Sequence, residues 1–140
     1  MLDIPAIEKI KKLEHYLLQL SQVDMPVTHE FCEGLYIRTM KVPAGTVLTG
    51  AIHRGENFLF IREGDITVWT QDGMRHLFNG DLVKSNAGLK RVGYAHTDCI
   101  MSTIHFNPMN ETDPETLWEM FTVPEFTALD AEATRFIEAL

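Results

Sequence analysis

Residues 45–65 read GTVLTGAIHRGENFLFIREGD, and this stretch decides the fold. It has the pattern strand, turn, strand. Gly50 loosens the first strand, and Arg54-Gly55-Glu56 makes the bend. Asn57 to Ile61 is an apolar run of strand length, and Gly64-Asp65 marks the next turn. His53 is the single histidine of the stretch.

The same two-residue period extends on both sides. Upstream, Leu35 to Met40 reads as a strand and Pro43-Ala44-Gly45 as a turn. Downstream, strands are expected at Ile66 to Thr70, Met74 to Phe78, Leu82 to Ser85, Arg91 to Ala95 and Ile100 to Phe106. Asp72-Gly73 and Asn79-Gly80 separate them, and both pairs favour tight turns because their residues accept positive φ. Many short strands at steady spacing predict a mostly β, antiparallel sandwich or barrel, with Pro108 as the end of the strands.

Helices flank this region. Ile7, Ile10, Leu13, Leu17 and Leu20 recur at helical spacing, with charged residues between them. Asp3 suits the cap and Pro5 the first turn. Such a helix is marginal alone, so its apolar face must pack on its own domain or on a second subunit. Ser21 to Pro26 is a connector. Thr112-Asp113-Pro114-Glu115 starts a short helix ending near Phe121. Pro124 breaks it, and Asp130 starts a last helix through Leu140. The expected organisation is one domain over residues 1–140: an N-terminal helix (1–22), a β barrel (27–107) and C-terminal helices (112–140).

Composition narrows the function. A formal net charge of −8 over 140 residues argues against a nucleic-acid polymer as partner, which needs a basic face. No apolar run approaches the ~20 residues that span a bilayer, so no membrane role is expected. Cys32 and Cys99 lack metal-type spacing and read as buried thiols of a reducing cytoplasm. Acidic residues near the start, without a signal-peptide core, agree with a cytoplasmic location.

Two glycine-anchored stretches resemble the two sequence motifs of the cupin superfamily. In the first, Gly45 leads, the two metal histidines fall on Ala51 and His53, the glutamate on Asn57, and the closing glycine on Gly64. In the second, Gly80 leads, Asn86 replaces a proline, Gly88 is kept, the metal histidine falls on Arg91, and an asparagine falls on Ala95. The resemblance covers Leu35 to Phe106 and implies a small double-stranded β-helix, a jelly-roll barrel open at one end. The fuller pattern, with REGDITVW, RVGYAHTD and IHFNPMNETDPE, is similar to cupin-like proteins of phages and prophages. That likeness carries no activity; it implies a host-cytoplasm location if the chain is phage-encoded.

The resemblance implies a metal site of three histidines and a carboxylate, and this chain departs from it. Alanine has no donor, asparagine is a weak neutral ligand, and arginine repels a cation. No metal or other cofactor is expected; a pair of His53 and His105 with a carboxylate is the remote alternative. Strand alternation points Thr49, Ala51 and His53 inward together, with Asn57, Leu59 and Ile61 from the next strand and Arg91, Gly93 and Ala95 from another. A guanidinium there needs an anion, either Glu56 or Glu63 or the carboxylate or phosphate of a ligand. His53 reads as a satisfied barrel histidine, a ligand partner or a general base; metal-free epimerases of the superfamily pair such a base with a tyrosine acid. Tyr36 is the candidate acid or ligand contact, since parity places Tyr94 outside.

The reading is a metal-free barrel binding a small anionic molecule through His53, Asn57, Arg91, Ala51, Thr49 and Tyr36, as a homodimer. Two alternatives stand beside it: an enzyme, either a metal-free isomerase or a metalloenzyme with unusual ligands, and a phage-type structural protein with a filled interior.

Overall fold

The computed structural model describes residues 4–123. Helix α1 (Ile4–Leu17) is followed by β1 (Val27–Cys32), β2 (Gly34–Val42), β3 (Val47–Thr49), β4 (Ile52–His53) and β5 (Asn57–Glu63). Then come β6 (Asp65–Thr70), β7 (Gly73–Phe78), β8 (Leu82–Ser85), β9 (Val92–Ala95) and β10 (Cys99–Asn107). Helix α2 (Pro114–Phe121) and β11 (Thr122–Val123) close the described chain.

The strands form a mostly β, jelly-roll architecture. One sheet has the order β1-β2-β10-β5-β8, and a second has the order β3-β9-β6-β7. Every pairing is antiparallel. The hydrophobic core lies between the sheets: Val42, Leu59 and Ile61 from the first meet Ile66, Leu77 and Ala95 from the second. Alternation explains the choice, since these positions share the inward face of their strands. Gly64 joins β5 to β6 at φ +111°, and a Cβ there would meet the Asp98 carbonyl oxygen at 2.6 Å. Only glycine fits so close an approach.

Helix α1 packs on its own domain. Ile10 is buried, and with Leu13 it lies over Val47, Trp69, Val92 and Tyr94 on the outer face of the second sheet. Glu14 on α1 forms a 2.6 Å ion pair with the buried Lys90. Lys90 therefore ties the helix to the barrel.

Three expectations are corrected. Strands do not end at Pro108: β11 follows α2 and pairs Thr122 with His53 and Val123 with Ile52. The long strand around Gly50 divides into β3 and β4, because Gly50 and Ala51 leave the β3–β9 ladder and β4 takes β11 as its partner. Cys99 is buried but Cys32, at the end of edge strand β1, is exposed. The expected cap at Asp3, the break at Pro124 and the last helix from Asp130 lie outside the described residues.

Asp113 caps α2, its carboxylate accepting a hydrogen bond from the Thr116 backbone N–H at 3.1 Å, with Pro114 in the first turn. Asp113→Ala should lower the stability, read as a lower midpoint in chemical denaturation. An unchanged midpoint would show that α2 is held by Leu117, which is fully buried, and not by its cap.

Candidate functional site

Beside the core the two sheets separate and leave a cavity of about 230 Å³. Met40 and Met101 on the first sheet and Leu48, Ile66 and Val68 on the second give it apolar walls. Trp118 on α2 closes one side. The polar lining consists of Thr49, His53, Arg91, Arg38 and Thr103. Among the described residues no aspartate or glutamate contributes to it.

Arg91 sits just before β9, where Gly50 N–H donates to its carbonyl at 2.9 Å and fixes the local backbone. Its guanidinium donates to Asn57 Oδ1 at 2.9 Å and to Ser85 Oγ. Asn57 and Ser85 face each other across the β5–β8 register, so one pair of strands supplies both acceptors. Both acceptors are neutral. Glu56 pairs with Lys84 at 3.2 Å, and Glu63 is exposed. Burial lowers the Arg91 pKa to about 10, because the charged form is poorly solvated there. Asn57 Nδ2 is buried without a hydrogen-bond partner among the described residues, a donor beside the guanidinium.

Arg38 reaches the same cavity from β2 and lies over the Trp118 ring at 5.0 Å. This cation–π contact offsets part of its desolvation. Burial lowers its pKa, with a smaller opposing contribution from Tyr36. Among the described residues no carboxylate forms an ion pair with either arginine.

His53 lies at the junction of this cavity and a second hollow lined by Gly55, Glu56, His105 and Phe121. Its ring stacks on His105 at 5.2 Å. Burial first, then His105, Arg91 and Arg38, push its pKa down to about 3. Burial, Arg91 and Arg38 lower His105 to about 4. Both imidazoles are neutral near pH 7. A base so weak is poorly matched to proton abstraction at that pH.

The residues singled out from sequence are distributed as follows. Thr49, Ala51, His53 and Arg91 meet at the cavity, and Asn57 lies behind Arg91 as its acceptor. Gly93 leaves the space beside them: a Cβ there would come within 3.1 Å of Leu48. Tyr36 stands apart from this lining. It is buried in a stack with His105, Phe121 and Phe31, and its hydroxyl is 2.6 Å from His29 Nδ1. Tyr94 faces outward under α1. Arg38, Ser85 and Trp118 escaped the sequence reading. Arg38 shares the parity of Tyr36 and Met40, but the mixed pattern LYIRTM does not show which face of β2 turns inward. Ser85 is identified only by its register with Asn57.

The donor set does not fit the metal site that the cupin motifs imply. At the matching positions Ala51 offers no ligand, and the Arg91 guanidinium already occupies Asn57 Oδ1. Among the described residues no carboxylate or thiol completes a metal-binding group with His53 and His105. The cavity offers guanidinium and hydroxyl donors and a neutral imidazole inside apolar walls.

No protein-family model and no curated protein sequence matches the chain. Solved structures do share its fold. A Neisseria meningitidis protein superposes with a TM-score of 0.51 at 16% identity, over 68% of this chain and 95% of its own. A cupin superfamily protein from Desulfitobacterium hafniense gives 0.52 at 13% identity, over 65% of this chain and 84% of its own. Salicylate 1,2-dioxygenase from Pseudoaminobacter salicylatoxidans, solved as adducts with gentisate, gives 0.56 at 15% identity, over 84% of this chain but 33% of its own.

Proposed function

We propose that this chain, whose fold is the cupin barrel, binds a small anionic molecule between its two sheets. The observation that carries the reading is that Arg38 and Arg91 line one cavity to which, among the described residues, no carboxylate contributes. A half-buried cation without a counter-charge is costly, and an entering carboxylate or phosphate offsets that cost with charge-assisted hydrogen bonds. The apolar walls suit a ligand with a hydrophobic body behind its anionic group. His53, Asn57, Thr49 and Ala51 shape the rest of the pocket, with His53 as a neutral hydrogen-bond partner.

The test is a thermal-shift screen of organic acids, sugar phosphates and nucleotides, followed by calorimetry on the hits. A hit should bind one per chain, weaken as salt rises, and fail to bind when its anionic group is esterified. A panel in which neutral analogues bind as well as the acids would sink the reading.

The exposed thiol of Cys32 agrees with a reducing cytoplasm, and no helix among the described residues is long and apolar enough to cross a membrane. A homodimer through α1 belongs to the same reading. Tyr16 near the end of α1 and Leu18 and Leu20 just after it are exposed, beyond the part that packs on the sheet. Sedimentation should give a dimer at micromolar concentration and a monomer for Leu18→Glu; a wild-type monomer would count against it.

A further inference from the structure

The outer face of the β3-β9-β6-β7 sheet carries a second polar cluster, separate from the cavity. Side chains alternate along β6, so Asp65 and Thr67 point away from Ile66 and Val68, which face the interior. His76 on β7 and Tyr94 on β9 both stand opposite Thr67 and share its face. The His96 backbone N–H donates to the Asp65 carbonyl at 2.9 Å, which sets His96 beside Asp65 two positions on from Tyr94. Strands β6 and β7 and the bend that follows β9 thus deliver two imidazoles and a carboxylate to one point. One ligand atom from each of Asp65, His76 and His96 lies within 4.8 Å of the others.

We propose that Asp65, His76 and His96 form a binding site for a divalent transition-metal ion of the zinc type. Two imidazoles with one carboxylate is a donor set for zinc, copper or nickel, not for magnesium or calcium, which prefer oxygen alone. Ligand atoms each about 2 Å from an ion stand about 3–4 Å apart, so closure asks for side-chain shifts on the order of 1 Å. The rings are already oriented. His76 packs against Phe78 at 4.3 Å, and His96 meets the Tyr94 ring edge-on at 4.9 Å. Thr67 Oγ1 lies 2.7 Å from His96 Nε2 and can follow that ring as a neighbouring polar support. His76 Nε2 is hydrogen-bonded to Asp65 Oδ1, and an ion takes the place of the proton between them. The exposure of both histidines leaves the remaining coordination positions to water.

The site shares no residue with the anion cavity, so either can fail without the other. The test is calorimetric titration of the full chain, purified without an affinity tag, with Zn²⁺ in a buffer containing excess Mg²⁺. One Zn²⁺ should bind per chain in the micromolar range. His76→Ala and His96→Ala should each weaken it about tenfold or more, and Asp65→Asn should weaken it less. His53→Gln with His105→Gln should leave the titration unchanged. Circular dichroism checks that each variant is folded, and Asp65→Asn, which keeps the size and shape of the side chain, guards against a variant that is not. The proposal is overturned if the wild type shows no saturable Zn²⁺ binding, if the His76→Ala/His96→Ala double variant binds equally well, or if binding disappears with His53 and His105 instead.

Discussion

Arg91→Met should weaken binding of an anionic ligand by at least about thirtyfold, since losing one partner of a buried, hydrogen-bonded charge pair costs roughly 2–5 kcal/mol. The free protein should respond quite differently. Among the described residues the Arg91 guanidinium has only the neutral acceptors Asn57 and Ser85, and burial disfavours its charge. Methionine fills much of the same volume and removes that penalty, while leaving Asn57 Oδ1 without its donor. The two terms oppose each other, so the unfolding free energy should change by less than about 1 kcal/mol. A structural arginine would show the reverse pattern, with a large loss of stability. Arg91→Lys separates charge from shape: it keeps the positive charge but not the planar pair of donors, so affinity should fall between wild type and Arg91→Met. Arg38→Met should weaken the same ligand by a smaller factor, because the Trp118 ring already offsets part of the Arg38 charge. If a ligand binds one per chain and neither substitution changes its affinity, the cavity between the sheets is not its site.

Acidification from pH 7 to pH 5 should destabilise the free protein by about 2–4 kcal/mol more than a His53→Gln/His105→Gln variant. In the unfolded chain an imidazole takes up a proton near pH 6.5. In the fold, burial, Arg38 and Arg91 hold His53 neutral down to about 3 and His105 down to about 4. Between those limits the unfolded state binds more protons than the native state. The stability contribution is therefore complete above about pH 7, falls as the pH drops through 6.5, and levels off near pH 3–4. Each histidine contributes on the order of 1–2 kcal/mol over the two units from pH 7 to 5. Urea denaturation at several pH values, compared between wild type and variant, isolates this from the titration of the carboxylates. Parallel curves for the two chains would mean that the imidazoles are solvated. A bound anion adds a second check. Its negative charge opposes the two arginines and eases protonation of His53, so the saturated protein should lose less stability on acidification.

Much of the barrel was legible because its signals are local. Asp72-Gly73, Asn79-Gly80 and Gly64 sit at turns, and the two-residue alternation between them places Leu59, Ile61, Ile66 and Ala95 in the core. The motif resemblance then singled out Ala51, His53, Asn57 and Arg91 together. Strand β11 was not legible, since two residues carry no period and their pairing with β4 depends on where α2 delivers the chain. The burial of Lys90 was hidden for a similar reason, because its partner Glu14 arrives on a helix distant in sequence.

By itself, the amino-acid order determined most of the strands and turns, because each depends on side-chain chemistry at a spacing within one segment, and the resemblance to the cupin motifs added that Ala51, Asn57 and Arg91 stand at metal-ligand positions. Only the tertiary structure decided that Arg38 joins Arg91 over one cavity, that Ser85 and Asn57 accept from the guanidinium, and that Asp65, His76 and His96 converge on the opposite face of the sheet. These juxtapositions follow from the register between strands far apart in the chain. Register is set cooperatively by packing of the whole sandwich, so a pattern read one strand at a time does not contain it.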